Sequence, residues 1–351
     1  MRSKKVAKLS VLSHPVFPVE IRPKNTLAEL LRDMGRTAFQ GKNLSLAVRI
    51  WVKMLRQEAT ILLGLAGALV PAGMRQVLVY LIQNRLIDCL VSTGANLFHD
   101  IHETLGYNHW QGSCVVDDLA LKKRGIDRIY DVFAVEREFE KTDAYILRFA
   151  RSQKSCPPFT TREFFFRLGK QLLRDGKREG ILTSAAQAGV PVYCPAVGDS
   201  SIGIALAQDT QSPGFIFDVV ADVRETACLV ARSKSTGVIY LGGGTPKNFI
   251  QQTEVTAGKM GFKVAGHRYA IQMTTDAPHW GGLSGCTFEE AQSWGKIAET
   301  AAKVTLYCDS TIALPLVVTA VAQESQGFIS RRRRPAMEKL WSSPVLKRAA
   351  G

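Results

Sequence analysis

The chain has 351 residues, 46% of them hydrophobic, and a formal net charge of +14. This composition is sufficient for one large domain or two smaller ones with a buried core. Seven cysteines are scattered without a C-x-x-C pair, which argues against a disulfide framework and against a metal site. Reduced thiols and the lack of a signal-peptide core predict a cytoplasmic protein. The apolar runs are too short to span a bilayer, so we expect no membrane segment.

The excess positive charge is concentrated at the two ends of the chain, with basic residues in the first ten positions and four consecutive arginines at 331–334. We predict an extended N-terminal arm over 1–25, a single domain over 26–328 and a solvated basic tail over 329–351. Binding of nucleic acid is not favoured, because no aromatic residues for base stacking interleave with the arginines.

Between the two ends, short apolar runs alternate with segments of helical periodicity. In chain order the strand-like runs are ATILLGL (59–65), RLIDCLVST (85–93), VPVYCPAV (190–197), GFIFDVV (214–220), GVIYLGGG (237–244), YAIQMTT (269–275) and KVTLYCDS (303–310). Such alternation predicts βα units. We therefore expect an α/β fold with a doubly wound, mostly parallel sheet and helices on both faces.

Polar and glycine residues collect at the ends of five of these runs. The segments are STGAN (92–96), VGDSS (197–201), LGGGTPKN (241–248), TTDAP (274–278) and CDST (308–311). In sheets of this class, ligands bind beyond the carboxyl ends of the strands. A complete G-x-G-x-x-G fingerprint is absent, but five polar strand ends predict a long ligand such as a dinucleotide.

The segment GCTFEEAQSWGKIAET (285–300) combines carboxylates, a tryptophan and a lysine. On an α-helix, Glu289 and Lys296 would share one face, and Glu290 and Trp294 the adjoining one. Such a group could bind a cationic amine and supply a nucleophile. An amphipathic surface helix with a charge pair is the alternative interpretation.

The motifs STGANLFHD, CPAVGDSS, YLGGGTPKNFI and above all EEAQSWGKI resemble the deoxyhypusine synthase family from about residue 25 to about residue 325. The resemblance implies a homotetramer with a Rossmann-like core that binds NAD at subunit interfaces. It also implies cleavage of spermidine, release of 1,3-diaminopropane and transfer of the 4-aminobutyl group to an amine acceptor.

The resemblance assigns roles to individual residues. Lys296 would be the nucleophile that carries the aminobutyl group, with Trp294 packing the polyamine chain and Glu290 close to it. The implied cofactor contacts are Gly67, Ala68, Leu69, Thr93, Gly94, Ala95, Asp199, Gly243, Gly244, Thr275, Asp276, Asp309 and Ser310. Each aspartate, taken alone, could equally be a helix N-cap.

The chain also departs from the family pattern. Two glutamates of the family correspond to Phe98 and His99, a histidine corresponds to Asn248, and two polyamine-binding aspartates correspond to Ile204 and Leu283. The segment HDIHE (99–103) could supply substitutes, or could be a capped helix whose polar residues face outward. His279 and Trp280 are candidates to reshape the amine pocket.

These departures resemble the bacterial-type branch of the family, in which a free diamine is the acceptor. Putrescine as acceptor would give homospermidine. Two alternatives stay open. The acceptor could be a lysine of the hypusine-bearing translation factor, or the protein could be a non-catalytic scaffold that binds NAD.

Overall fold

The structure is a computed structural model and describes residues 14–153, 158–210, 215–333 and 335. In chain order its strands are β1 (Thr60–Leu65), β2 (Cys89–Ser92), β3 (Trp110–Gln111), β4 (Ile126–Ile129), β5 (Val132–Val135), β6 (Val192–Tyr193), β7 (Thr236–Leu241), β8 (His267–Thr274) and β9 (Ile297–Tyr307). Helices pack on both faces of the main, six-stranded sheet, with one core cluster on each face.

The helices are α1 (Leu27–Met34), α2 (Phe39–Arg56), α3 (Arg75–Gln83), α4 (Gly94–Thr104), α5 (Asp118–Lys123), α6 (Glu136–Ser152), α7 (Thr161–Asp175), α8 (Ile181–Ala188), α9 (Ser201–Ala207), α10 (Val219–Arg232), α11 (Gly244–Lys259), α12 (Phe288–Ser293) and α13 (Ser310–Ser325). A π-helical turn covers Val70–Met74, and 3-10 turns cover Pro278–Trp280, Leu283–Gly285 and Ile329–Arg331. Within the described ranges, no helix combines the length and apolar character needed to cross a membrane.

Six strands form one parallel sheet in the order β6-β2-β1-β7-β8-β9. The chain therefore winds outward in both directions from the central pair β1 and β7, as in a doubly wound Rossmann-like sheet. Leu65 at the end of β1 is opposite Leu241 at the end of β7, so the loops after these two strands meet. The predicted fold class is confirmed.

Strand β1 is buried on both sides, which explains its continuous apolar sequence. Ile61, Leu63 and Leu65 belong to one core cluster, whereas Leu62 belongs to the cluster on the opposite face of the sheet. Gly64 lets helix α11 approach the strand, because a Cβ atom there would lie 3.2 Å from the Cδ1 atom of Ile250. The missing side chain at Gly64 thus allows α11 to pack closely on the sheet near Ile250.

The prediction of a strand over 214–220 is wrong for the described residues 215–220. Phe217 forms only an isolated bridge to Phe159, and α10 already begins at Val219. The side chain of Asp218 accepts a hydrogen bond from the backbone nitrogen of Ala221 at 2.8 Å, which caps this helix. Phe215 and Phe217 therefore pack against the core from a loop rather than from a strand, whereas Ile216 is exposed.

A second, antiparallel sheet with the order β3-β5-β4 was not anticipated from the sequence. Its strands have only two to four residues and carry few buried side chains, so their pattern is weak. The connection from α4 into β3 carries His109, which becomes important below. This small sheet therefore borders the carboxyl-terminal side of α4.

The division of the chain into an arm, a single domain and a tail at residues 25 and 329 stays a prediction. Residues 1–13, 334 and 336–351 lie outside the described residues. Helix α1 begins beside Thr26, whose side chain and backbone form a capping box with Glu29. The expectation of a solvated tail is wrong for Arg332, which is buried and paired with Asp88. The tail is therefore anchored beneath the sheet at this point.

Candidate functional site

A glycine-lined crevice lies where the loops after β1 and β7 meet. Gly67 and Gly244 have φ angles of +63° and +54°, and a Cβ atom on either would meet nothing within 4 Å. Gly243, in contrast, is covered, since its Cβ atom would lie 2.2 Å from the Cα atom of Ser284. Gly67 and Gly244 thus face open space at the switch point, where the chain winds from β1 and β7 in opposite directions. Gly243 instead packs against the loop that follows β8.

Asn96 joins the two loops on the β1 side of this crevice. Its Nδ2 atom donates to the carbonyl oxygen of Gly67 at 2.8 Å, and its Oδ1 atom accepts from the backbone nitrogen of Val70 at 3.0 Å. Thr93 also donates to Gly67 O, at 2.8 Å. The segment with Ala68 and Leu69 is therefore held against the start of α4. Asn96 was not among the residues predicted for the site, although it lies within the STGAN motif.

The loop after β6 contacts the start of α4. A Cβ atom on Gly94 would lie 2.3 Å from Oγ of Ser200, so only glycine permits this approach. Asp199 precedes Ser200 and is exposed, and Ala95 follows Gly94 in the first turn of α4. The structure thus brings the predicted cofactor residues of these two loops together.

The remaining predicted cofactor residues follow β8 and β9. Asp309 caps α13, because its Oδ1 atom accepts from the backbone nitrogen and the hydroxyl of Thr311, each at 2.6 Å. These hydrogen bonds lower the pKa of Asp309 below its ordinary value. Thr275 is exposed, Asp276 is half-buried, and Ser310 donates to the carbonyl of Met273 at 3.4 Å. The N-cap interpretation therefore applies to Asp309.

The predicted helix does not extend to Lys296. Helix α12 ends at Ser293, Gly295 adopts a φ angle of +69°, and Lys296 leads directly into β9. A residue in the left-handed region ends a helix, and glycine adopts this conformation without strain. The expectation that Glu289 and Lys296 share a helix face is therefore wrong. Glu289 instead pairs with Lys303 at 3.0 Å.

The side chain of Lys296 is directed inward. Lys296 is 9% exposed, and its Nζ atom lies 5.2 Å from the ring centroid of Trp294, within the range of a cation–π contact. Trp294 itself is 66% exposed, and Glu290 is exposed at the first turn of α12. Lys296 is thus buried, whereas the side chain of Trp294 beside it is exposed.

A second buried lysine, which the sequence analysis missed, lies in the same region. The Nζ atom of Lys247 donates to Oε1 of Gln272 at 2.9 Å and to the carbonyl oxygens of Ser284 and Cys286. Burial lowers the pKa of Lys247 to about 8, and the nearby charge of Lys296 acts in the same direction. Its sequence signal was the lysine within the GGGTPKN segment.

The candidate polyamine residues occupy more open positions. His279 and Trp280 are exposed, with ring centroids 4.6 Å apart, on the 3-10 turn after β8. Asn248 is half-buried on α11. Ile204 on α9 is 62% exposed, and Leu283 begins the short turn Leu283–Gly285. The side chains of His279, Trp280 and Ile204 are thus open to solvent.

The HDIHE segment is buried, so the interpretation of an outward-facing polar helix is wrong. Asp100 is fully buried and accepts hydrogen bonds from the backbone nitrogens of Ile181 and Leu182 at 2.8 and 3.0 Å. It also accepts from Nε of Arg75 at 2.8 Å, and burial raises its pKa. Asp100 therefore caps α8 and does not replace a substrate-binding acid.

His99 takes part in a hydrogen-bonded series of side chains. Its Nδ1 atom lies 2.9 Å from Nε2 of His109, and Nδ1 of His109 lies 2.8 Å from Oε1 of Glu103. Burial, together with the neighbouring histidines, lowers the pKa of His99 to about 3 and that of His102 to about 4. Glu103 and His109 line a cavity of about 580 Å³ that also contains Asp309.

The motifs and this geometry correspond to a known family. The model of the family described as deoxyhypusine synthase matches residues 29–321. The chain belongs to the deoxyhypusine synthase family. Membership implies an NAD-dependent aminobutyl transferase that uses spermidine. The resemblance inferred from the sequence is thus confirmed.

Several members of the deoxyhypusine synthase family are similar over nearly the whole chain. "Probable deoxyhypusine synthase 2" of Methanosarcina mazei is 50% identical, with 94% of this chain and 95% of the relative covered. The protein of the same name from Archaeoglobus fulgidus is 52% identical, with 86% and 97% covered. The "deoxyhypusine synthase-like protein" of Chlorobaculum tepidum is 35% identical, with 98% and 99% covered.

Solved structures agree on the fold. A candidate deoxyhypusine synthase from Entamoeba histolytica gives a TM-score of 0.59 at 19% identity, with 87% of this chain and 96% of that chain covered. The ternary complex of AgrE with ornithine and NAD+ gives a TM-score of 0.52 at 14% identity, with 82% and 34% covered. At these identities the likeness concerns the fold alone.

Proposed function

We propose that this protein is an NAD-dependent 4-aminobutyl transferase that cleaves spermidine and passes the aminobutyl group to a small diamine such as putrescine, forming homospermidine. The observation that carries the proposal is the buried Lys296 beside Trp294, in a chain that belongs to this family.

The crevice at the switch point fits NAD. Gly67 and Gly244 face open space, and the amino terminus of α4 presents backbone N–H groups, as dinucleotide phosphates require. Asp199 is exposed beside it and could accept hydrogen bonds from ribose hydroxyls. When bound, NAD would take up a hydride from the carbon next to the secondary amine of spermidine and later return it. AgrE, which has a similar fold, was crystallised with NAD+.

Lys296 would act as the covalent carrier. Its unprotonated Nζ atom would form a C=N bond to the oxidised butyl carbon as 1,3-diaminopropane leaves. The acceptor amine would then attack the same carbon and release Lys296. The ring of Trp294 would bind the cationic polyamine, contributing about 0.5–2 kcal/mol.

A small diamine as acceptor is supported by the positions at which this chain lacks the polyamine-binding residues that are usual in the family. Methanosarcina mazei carries two relatives, and this chain is 50% identical to the one numbered 2 and 42% identical to the one numbered 1. An organism with two such proteins can assign a different acceptor to each. Closer similarity to the second form is therefore consistent with an acceptor other than the translation factor.

A lysine of the hypusine-bearing translation factor is the second candidate acceptor. It is favoured by the names of the archaeal relatives, which are 47–52% identical and are called probable deoxyhypusine synthases. Both candidates use the same chemistry up to the last step, so the acceptor has to be determined by experiment.

A homotetramer is part of the proposal. Trp280 and Trp294 are 73% and 66% exposed, and large apolar side chains in such positions are typical of surfaces covered by a partner. A second subunit over them would exclude water from the amine pocket near Lys296. Native mass spectrometry would give the number of subunits, and a monomer would contradict this part of the proposal.

The catalytic proposal is tested by incubating the protein with NAD and spermidine and then adding borohydride. A mass increase of one aminobutyl group should appear on Lys296 and be absent from Lys296→Ala. Lys303→Ala, which removes a lysine within strand β9 itself, should keep the adduct. Bound NAD without an adduct or 1,3-diaminopropane would favour a non-catalytic scaffold instead.

The acceptor is tested by offering labelled spermidine together with either putrescine or the translation factor. Labelled homospermidine supports the small-diamine proposal. Label found only on a lysine of the translation factor supports the second candidate.

A further inference from the structure

A network of three side chains connects helix α4 with the loop before β3. His99 and Glu103 are four residues apart on α4, and His109 bridges them with contacts of 2.9 Å to His99 and 2.8 Å to Glu103. His99 is 8% exposed and the side chain of His109 is 6% exposed. The hydrogen bonds are therefore shielded from solvent, which strengthens them.

Charge and geometry determine where the protons of this network lie. An ionised Glu103 can only accept, so Nδ1 of His109 must carry a proton. In neutral His109 the Nε2 atom is then an acceptor, and the proton on the His99 side of the contact belongs to Nδ1 of His99. His99 in turn exposes an unprotonated Nε2 atom. Among the described residues, this atom has no hydrogen-bond partner.

Glu103 is also fixed in place by a cation. Nε of Arg75 lies 3.7 Å from Oε2 of Glu103 while it donates to Asp100 at 2.8 Å. The oxygen of Glu103 that faces His109 is Oε1, so the two partners use different oxygens. Glu103 therefore stays oriented towards His109.

The other groups around His99 are few. His102 lies on the same helix, with its ring centroid 5.2 Å from that of His109 and its Nδ1 atom 3.1 Å from Oγ1 of Thr142 on α6. Phe139 of α6 packs against His99, His102 and His109 without charge. Within the part of the chain that the structure describes, Glu103 is the one carboxylate that pairs with any of these three rings.

We infer that Glu103, His109 and His99 form a proton relay that accepts a proton from the amine substrate at Nε2 of His99. As the N–H bond forms at Nε2, the proton on Nδ1 of His99 moves to Nε2 of His109. The relay gains one proton, the amine loses one, and the positive charge comes to rest on His109 beside the carboxylate of Glu103. His99 would be the catalytic residue, and His109 and Glu103 positioning residues.

This inference rests on the proposed function and adds a base to it. Amines are largely protonated near neutral pH, and neither the hydride donor nor the attacking acceptor can react as an ammonium ion. The low pKa of His99 itself, about 3, makes an isolated imidazole at this position a weak base. A relay removes this difficulty, because the final charge lies on His109, where Glu103 stabilises it.

The positions of the protons in the relay can be determined without catalytic turnover. Solid-state NMR on protein with 15N-labelled histidine, assigned through single-histidine variants, reports which ring nitrogen carries the proton. His99 should be protonated at Nδ1 in the wild type. It should change to protonation at Nε2 in His109→Phe, which removes the acceptor. Protonation of His99 at Nε2 in the wild type would overturn the relay.

The role in catalysis is tested by the pH dependence of 1,3-diaminopropane release. Glu103→Gln keeps the shape but removes the charge that stabilises protonated His109, so we expect release at pH 7 to fall at least about 10-fold. The deficit should shrink towards pH 9, because hydroxide and the larger fraction of free amine replace the relay. His102→Asn, on the same buried helix face but outside the relay, should have a deficit that does not change with pH.

The outcomes separate the two proposals. A deficit of Glu103→Gln that stays constant from pH 7 to pH 9 would indicate a structural role and overturn the relay as a base. Absence of 1,3-diaminopropane from the wild type at every pH would overturn the aminobutyl transfer itself. In that case the NMR result alone decides whether the hydrogen-bonded relay exists.

Discussion

The Nζ atom of Lys247 donates a hydrogen bond to Oε1 of Gln272 at 2.9 Å, and it also donates to the carbonyl oxygens of Ser284 and Cys286. One buried ammonium group thus joins helix α11, strand β8 and the loop that leads to α12 and Lys296. Gln272 donates in turn to the carbonyl of Ser284 at 2.7 Å. The position of this loop therefore depends on Lys247 together with Gln272.

Replacing this lysine should loosen the amine site. In Lys247→Met, Oε1 of Gln272 and the carbonyl oxygen of Cys286 lose a donor, whereas the carbonyl oxygen of Ser284 still accepts from Gln272. Each buried group left unsatisfied costs about 1–3 kcal/mol. We expect KM for spermidine to rise about 10-fold or more. Steady-state kinetics and hydrogen exchange of residues 276–286 measure the two effects.

Two further variants at lysines of α11 sharpen this prediction. Lys259→Met lies on the last turn of the same helix, where the side chain is exposed, and should change neither quantity. Lys247→Arg should recover part of the exchange protection, because a guanidinium can still donate to the same carbonyls. Unchanged kinetics and exchange in Lys247→Met would contradict the anchoring role.

Gly243 is expected to tolerate no side chain. A Cβ atom there would lie 2.2 Å from Cα of Ser284, and backbone cannot yield as a flexible side chain does. Gly243→Ala should therefore displace the loop, lower the stability by about 1–3 kcal/mol and weaken NAD binding. Gly198→Ala is the matched control, since a Cβ atom there meets nothing within 4 Å. Calorimetric titration with NAD measures the binding, and thermal unfolding measures the stability. Equal NAD affinity and equal stability of the two variants would contradict the prediction.

Much of the fold could be predicted because the main sheet has a strong local pattern. Strands such as β1 are buried on both faces and read as apolar runs between helical periods. The strand predicted around Phe217 was wrong because this phenylalanine packs against the core from a loop, and periodicity does not separate that case from a short strand. The small sheet was missed because β3 has two exposed residues.

The site was harder to predict, because its key contacts connect residues far apart in the chain. The end of α12 depends on a single conformation, that of Gly295, which moves Lys296 from a helix into the approach to β9. The pairing of His99 with His109 depends on a loop whose path has no sequence signature. Lys247 was missed for the same reason, since its acceptors are mostly backbone carbonyls.

Acidification should destabilise the protein through its buried histidines. Burial lowers the pKa of His102 to about 4, whereas an unfolded chain binds the proton near pH 6.5. The unfolded state therefore holds more protons between pH 6.5 and 4, so the contribution of His102 is present above this range and is lost as the pH falls. The loss for one histidine approaches about 1.4 kcal/mol per pH unit.

The contribution of His102 to stability can be isolated as the difference in the free energy of unfolding between the wild type and His102→Asn. Raised pKa values of about 7 at Asp222 and Glu254 act in the opposite direction in wild type and variant alike. Urea unfolding at fixed protein concentration should find His102→Asn less stable than the wild type at pH 7. The gap should narrow towards pH 4.5. A gap that is independent of pH would disprove the assignment.

Arg332 should be the most important residue of the C-terminal segment for stability. Its Nη1 atom donates to Oδ1 of Asp88 at 3.0 Å, and Nη2 donates to the carbonyl of Ala59 at 2.7 Å. Both side chains of the pair are almost completely buried, and Asp88 also accepts from the backbone nitrogen of Ile61 at 2.8 Å. The pair thus ties the segment after α13 to the first two strands of the sheet.

Removing one partner leaves an uncompensated buried charge, so Arg332→Met should lower the free energy of unfolding by about 3–5 kcal/mol. Arg333→Ala, next in the chain and exposed, should change it by less than about 0.5 kcal/mol. The double variant Arg332→Met with Asp88→Asn should recover part of the loss, because the unpaired carboxylate is gone. Urea unfolding of the four proteins measures all three values. A loss in Arg332→Met no larger than that in Arg333→Ala would mean that Arg332 is solvated like Arg331 and Arg333.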